Sequence, residues 1–312
     1  MSDLSIIVVT YNCESWVGRC LESLPGALQG LDAEVVVVDN ASADSSADIV
    51  AHGYPDAKLL RNAVNTGFAA AVNLGARQAS SDWILLLNPD MQARPGSLRA
   101  LYEFAQTTPG RGLYGGRTLR PDGGVEPSSC WDLPTLWSTF CFAAGLSTLR
   151  PRSTFFDPES MGTWARDSVR EVGMITGCLL LVPREVWNSL GGLDERYFVY
   201  GEDADFSARA RAAGWRPTIT PDAEVVHAIG ISSNQSSSKM PLLLAGKITY
   251  AQTHFDGVAR VAAIWLLRAG VAVRAFGSRL TKRGGKWGDA WTQRSSWWDG
   301  FGKRASQRDP AS

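Results

Sequence analysis

This chain of 312 residues has no Gly-x-Gly-x-x-Gly after its first predicted strand and no Gly-Lys-Ser/Thr anywhere. Dinucleotide oxidoreductases and P-loop phosphotransferases are set aside on that ground, since both cradle phosphate with those backbones. Cysteine is sparse: Cys13, Cys20, Cys130, Cys141 and Cys178 are odd in number and lack paired metal spacing. They read as reduced packing thiols, not as a disulfide framework or a zinc site. No apolar run looks long enough to span a bilayer, because the best, 258–277, is broken by Arg260, Arg268 and Arg274. The start, Met1-Ser2-Asp3-Leu4, lacks the basic region of a secretory signal. Net charge is also missing, but its absence hides an asymmetry. Residues 1–256 hold 20 Lys and Arg against 28 Asp and Glu, and residues 257–312 hold 11 against 3. A basic tail on an acidic body asks for an anionic partner.

What is present begins with Trp83-Ile84-Leu85-Leu86-Leu87, a short apolar run that reads as a strand buried on both faces. It stops at Asn88-Pro89-Asp90, where two hard oxygen donors straddle a proline. Such a pair suits a divalent cation held against a phosphorylated ligand, although a plain polar turn explains the tripeptide alone. Strands are also predicted at 4–10, 34–38 and 57–60. They alternate with helices at 13–24 (ended by Pro25 and Gly26), from the Asp44-Ser45 cap to about residue 51, and at 69–79. This alternation predicts an α/β fold, a doubly wound and mostly parallel sheet with flanking helices. Its strand tips carry Thr10-Tyr11-Asn12, Asp39-Asn40 and Asn88-Pro89-Asp90 on one edge, with Asp39 placed to meet a base or ribose.

Beyond residue 110 a strand and hairpin turn are predicted at 112–124. Residues 130–161, with tryptophan and several prolines, show no period and read as a loop over the pocket. Residues 172–182 form one buried run containing Gly177, where a glycine permits close approach by a ligand or backbone. A helix at 203–213 starts with Glu202, Asp203 and Asp205 and faces them with Arg209. Strands follow at 216–220 and at Val225-Val226-His227.

In order and spacing, 5–12, 36–44, 62–73, 85–90, 176–205 and 225–232 resemble glycosyltransferase family two, the inverting group with the GT-A fold. Asn65-Thr66-Gly67-Phe68 and the run Phe198 to Asp205 look most like bacterial rhamnosyltransferases of cell-wall and surface-polysaccharide assembly. The resemblance implies a nucleotide-sugar donor, L-rhamnose from dTDP-rhamnose, and a polyprenyl-diphosphate-linked or other glycan acceptor. It implies Asp203 as catalytic base. Thr10, Tyr11, Asn12, Asp39, Asn65, Gly67, Phe68 and Asn88 would line the nucleotide site. Asp90 and His227 would hold a divalent metal, Mg²⁺ or Mn²⁺, with neutral Asn88 standing where the family motif has an acid. Gly177, Glu202, Asp205 and Arg209 fall near acceptor or donor sugar, and Glu202 and Asp205 would raise the proton affinity of Asp203. The alternatives are a UDP- or GDP-sugar enzyme of the same fold and a non-catalytic nucleotide-sugar-binding component of a membrane complex. A nucleotidyltransferase would need basic residues near the first strand, and Tyr11-Asn12-Cys13-Glu14 offers none.

The tail reads as helices at 241–255 and 258–282. At ~100° per residue, Arg260, Arg268, Arg274, Arg279 and Lys282 share one arc of the second helix, opposite Trp265, Leu266, Val273, Phe276 and Leu280. A basic amphipathic helix of this kind is expected to lie on a membrane, with Trp287, Trp291, Trp297 and Trp298 at headgroup level. Nucleic acid is disfavoured by the acidic body, and a homodimer is left open. The expected organisation is a catalytic domain over 1–240 (nucleotide half 1–110, acceptor half 111–240), a basic helical segment over 241–300 and a disordered tail over 301–312. The expected place is the cytoplasmic side, peripheral on the inner face of the bacterial membrane.

Overall fold

The computed structural model describes residues 2–227, 236–280 and 285–302, with the side chains of 236–238 and 279 left out of that description. Gly230, Ser232, Lys282, the Arg279 side chain and the tail from 303 on therefore lie outside the described residues.

The amino-terminal half alternates β1 (Leu4–Thr10), α1 (Val17–Leu28), β2 (Ala33–Asp39), α2 (Ser46–Gly53), β3 (Lys58–Arg61), α3 (Phe68–Gln78) and β4 (Trp83–Leu87). β1 pairs in parallel with β2 and β4, and β2 with β3. The β-branched, apolar strands are sealed on both faces, as parallel strands under helices must be. α1 does not stop at Pro25: the proline sits inside it and the helix ends at left-handed Gln29. Pro25 forgoes the bond to the Leu21 carbonyl, and the helix persists because Val17, Cys20, Leu21, Leu24 and Ala27 keep one face buried across it.

Then come β5 (Met91–Ala93), α4 (Ser97–Thr107), β6 (Tyr114–Leu119), β7 (Val125–Glu126), β8 (Cys130–Trp131), α5 (Leu136–Ala143) and α6 (Leu146–Leu149). They are followed by β9 (Arg170–Glu171), β10 (Met174–Ile175), β11 (Leu179–Pro183), α7 (Arg184–Leu190), α8 (Glu202–Ala212) and β12 (Thr218–His227). Among the described residues ten strands share one sheet, with main order β3-β2-β1-β4-β11-β6-β12-β5. β11 runs antiparallel to β4 and β6, and β5 antiparallel to β12, so this half of the sheet is mixed.

Three sequence expectations change here. The run 172–182 is not one strand: it breaks at Thr176-Gly177-Cys178 between β10 and β11. The two expected strands at 216–227 are one, β12, with an irregularity between Ile219 and Glu224. The segment 130–161 is largely ordered structure, not a loop over the pocket, and α5 within it docks on the tail, where Gly270 meets Ala143 and Phe142.

The tail forms α9 (Ser236–His254), α10 (Gly257–Leu280) and α11 (Lys286–Thr292). Fully buried Trp297 anchors a small core with Leu244, Ala245, Val271 and Ala290, against which Phe142, Trp287, Trp291 and Trp298 pack. The tryptophans expected among lipid headgroups instead build this core, because aromatic area is worth most when removed from water. On α10 the apolar face expected to meet a membrane is exposed, while part of the basic arc is bonded into the protein. Arg268 bonds the Trp298 carbonyl and Arg274 the Phe142 carbonyl, while Trp265, Val273, Phe276 and Leu280 point to the surface. By length and composition Gly257–Ser278 also passes as long enough to cross a membrane, contrary to the reading of the sequence.

Candidate functional site

The strand tips meet as the topology requires. Thr10 is fully buried and its hydroxyl donates to Asp39 Oδ1 at 3.0 Å, while Asp39 Oδ2 accepts from the Ser42 backbone at 3.2 Å. Asn12, with φ 49°, accepts from Ala43 N–H at 2.8 Å through its side chain. The Thr10 side chain thus ties β1 to β2, and Asn12 ties its loop to the one after β2. Tyr11 stands exposed at the same tip.

Asn40 is a residue the sequence reading missed. Buried at the end of β2, it donates to Asn65 Oδ1 at 2.8 Å and to the Gly67 carbonyl at 3.2 Å. Its own Oδ1 accepts from Asn62 at 2.9 Å and Thr66 N–H at 3.0 Å. One amide thereby holds the whole 62–67 loop, and only its position beside Asp39 hinted at this. The loop is locked from the other side: Phe68 N–H donates to the Phe198 carbonyl at 2.6 Å. Gly67 has φ +85°, and a Cβ there would lie 2.5 Å from that carbonyl. Only glycine fits.

Where β4 ends, Asn88 turns its amide nitrogen to Cys178 Sγ at 3.5 Å. Asp90 follows, and the β5–β12 register, His227 opposite Met91, puts His227 beside it. Nε2 of His227 lies 3.1 Å from Asp90 Oδ2, and Nδ1 lies 2.9 Å from Glu126 Oε2. Burial opposes a proton on this ring, but the hydrogen bonds and charges of Asp90 and Glu126 outweigh it, so His227 holds its proton above the ordinary histidine range. Glu126, just past the predicted hairpin turn, is the second residue missed.

Asp203 sits at the start of α8, where its Oδ1 accepts from Ala204 N–H at 2.8 Å. Burial raises its pKa to about 6 against the pull of the Ala204, Asp203 and Gly177 backbone donors. Gly177 therefore serves Asp203 through its N–H, with the Phe68 ring against its open face. Neighbouring Glu202 is buried with Oε2 sealed and unpartnered, and burial, then the charge of Asp203, keeps its carboxyl protonated well above the usual range.

Asp205 and Arg209 differ from expectation. Asp205 is fully buried, one oxygen bonded by Arg209 at 2.8 Å and the other by His254 at 2.8 Å. Arg209 spends its other donors on the carbonyls of Leu190 and Gly192. They lock α7, α8 and α9 together and do not shift Asp203, whose proton affinity comes from burial.

Asp90, Asp203 and Glu126 all lie within electrostatic reach of Cys178. Burial pushes the Cys178 thiol up to about 12, and the carboxylates of all three add to it. The Tyr200 phenol is raised by burial, then by Glu202 and Asp90. A hollow of about 440 Å³ lined by Thr107, Thr108, Arg111 and Arg216 lies at the other end of the sheet, where β6 and β12 begin, away from this chemistry.

A divalent cation can be tested against these residues. Asp90 Oδ1 is shut from solvent and has no partner, a cost that a cation would remove. Among the described residues no three His, Cys, Asp or Glu side chains form a metal cluster. The chain thus offers a carboxylate and an imidazole, which suits Mg²⁺ or Mn²⁺, ions that keep positions for phosphate oxygens and water.

Residues 5–173 match the family described as Glycosyl transferase family 2. An N-acetylglucosaminyl-diphospho-decaprenol L-rhamnosyltransferase of Mycobacterium tuberculosis is 33% identical over 289 residues, 87% of this chain and 91% of that protein. The low-salt glycan biosynthesis hexosyltransferase Agl10 of Haloferax volcanii is 26% identical over 68% of this chain and 62% of its own. The solved mannosyltransferase PcManGT of Pyrobaculum calidifontis, in complex with GDP-Man and Mn²⁺, superposes with a TM-score of 0.55 at 19% identity. It covers 94% of this chain and 79% of its own, and shares the GT-A fold. On the family match across half its length and one-third identity to a relative over nearly all of it, the chain belongs to glycosyltransferase family 2 and is a glycosyltransferase.

Proposed function

We propose that this enzyme is an inverting transferase that moves L-rhamnose from dTDP-rhamnose to a hydroxyl of a polyprenyl-diphosphate-linked saccharide at the inner face of the membrane. The reading is carried by Asp203 at the start of α8, a carboxylate whose proton affinity burial raises to about 6 and whose charge, like that of Asp90, reaches Cys178, with His227 hydrogen-bonded to Asp90. The acceptor oxygen attacks the anomeric carbon as the bond from that carbon to the diphosphate oxygen breaks, and the hydroxyl proton passes to Asp203. A base near pH 6 is mostly ionised at neutrality yet binds a proton better than an ordinary carboxylate does. Until a cation displaces its Nε2 proton, protonated His227 meets the charge that gathers on the departing diphosphate. Asp90 and His227 would hold a divalent cation, which when bound supplies further neutralisation of that charge. Asp39, Tyr11 and the loop carrying Asn65, Gly67 and Phe68 receive the nucleoside.

The membrane setting is supported by α10. Val258, Val261, Trp265, Val273, Phe276 and Leu280 are 56–85% exposed and form one stripe along a helix of 24 residues. A soluble surface rarely carries so continuous an apolar line, and the basic tail around it suits anionic lipid. The arginines bonded into the protein favour a helix lying in the interface over one that spans it.

Thermal-shift titration and transfer assays test the donor. dTDP-rhamnose is expected to stabilise the protein more than UDP-galactose or GDP-mannose and to give a product of inverted anomeric configuration with a prenyl-diphosphate acceptor. Greater stabilisation by either other donor overturns the sugar assignment.

A further inference from the structure

We propose that Glu126 is a positioning residue: it keeps the ring proton of His227 on Nδ1 and so turns the lone pair of Nε2 toward a cation held by Asp90. The inference rests on the metal-assisted reading above.

His227 touches one carboxylate at each ring nitrogen, Asp90 at 3.1 Å and Glu126 at 2.9 Å. A neutral imidazole carries a single N–H, so only one of the two can receive it. If Asp90 received it, Nε2 would present a proton to the cation instead of a lone pair. Glu126 sets the balance the other way, and it gains weight once a cation occupies the Asp90 carboxylate. A carboxylate on the far nitrogen of a ligating histidine fixes its tautomer and raises its basicity.

The placement is specific. β7 pairs with β6, Glu126 opposite Thr118, and β6 with β12, so a turn at residues 120–124 delivers this side chain to a histidine 101 positions away. Glu126 makes no ion pair with any Lys or Arg among the described residues, so His227 is what it serves.

The test is Mn²⁺ affinity, read from the EPR signal of free Mn²⁺ with the full chain, together with ¹⁵N shifts of His227 in Mg²⁺. Glu126→Ala is expected to weaken Mn²⁺ binding about 10- to 100-fold and to move the ring proton toward Nε2. His227→Gln is expected to lose as much. Adding Glu126→Ala to His227→Gln should cost nothing further, because the two act as a unit. Should Glu126→Ala fail to fold, Glu126→Leu keeps the bulk without an acceptor for the Nδ1 proton and is read in the same way. Unchanged Mn²⁺ affinity in a folded variant, or additive losses in the double variant, would overturn the role of Glu126 alone. A wild-type chain that binds no Mn²⁺ would overturn the metal-assisted reading with it, and the donor titration would still stand.

Discussion

Asp203 binds its proton more tightly in the folded chain than in the unfolded one, about 6 against an ordinary 3.8. Two consequences follow, with opposite signs. As a base it must be ionised, so kcat/KM should fall as pH drops below about 6, and the acid limb should have its midpoint there. As a buried carboxylate it makes folding less favourable as pH rises through the window from 3.8 to about 6, since the native state holds the extra proton. Asp203→Asn should therefore lower transfer by about 100-fold or more while raising stability at pH 8 by on the order of 1–3 kcal/mol. The gain should disappear near pH 3.5, below both values. A melting series across pH beside the rate profile checks both, and a variant with no gain at pH 8 would show that burial does not set this proton affinity.

At the scale of elements, the tail braces the catalytic helix. Gly246 of α9 lies so close to the loop before α8 that a Cβ would sit 2.0 Å from the Tyr200 carbonyl oxygen, and Tyr200 itself has φ 68°. Gly246→Ala sets two effects against each other. Alanine favours the helix by about 0.5–1 kcal/mol, but overpacking against backbone costs about 1–3 kcal/mol. The clash should win, with lower stability and a reduced kcat as Tyr200 and Gly201 shift under Glu202 and Asp203. A melting temperature and kcat equal to wild type would refute it. Most of the first seven elements were legible in the sequence, because β-branched runs and an amphipathic helix face report burial directly. The continuation of α1 past Pro25 and the break at Thr176-Gly177-Cys178 were not. A single proline near a helix end is tolerated when the apolar face continues, and an apolar run does not say where the ladder stops.

On the scale of the whole molecule, the exposed apolar stripe of α10 is the proposed membrane face. Trp265→Glu with Phe276→Glu should abolish sedimentation with phosphatidylglycerol-rich liposomes and leave turnover of a short soluble acceptor within about twofold, since neither side chain is in the core and surface changes cost little. Undiminished liposome binding would refute the surface assignment. If instead the wild type is a dimer that these changes dissolve, the stripe is a subunit interface. The helical period gave both faces of α10 and the outward apolar one, but not that two arginines of the basic arc are bonded into the protein. Their partners are the Trp298 and Phe142 carbonyls, which accept from Arg268 and Arg274.

The order of residues alone determined the alternation of strands and helices, the polar strand tips and the acids opening α8, because periodicity and turn chemistry are local properties. Pairings between distant segments lay beyond it. Which strand lies beside β5, and so whether His227 meets Asp90, is settled by register across 137 positions. Which carboxylates face the cleft and which are consumed by packing, as Asp205 is by Arg209 and His254, depends on burial, and burial exists only once the chain has folded.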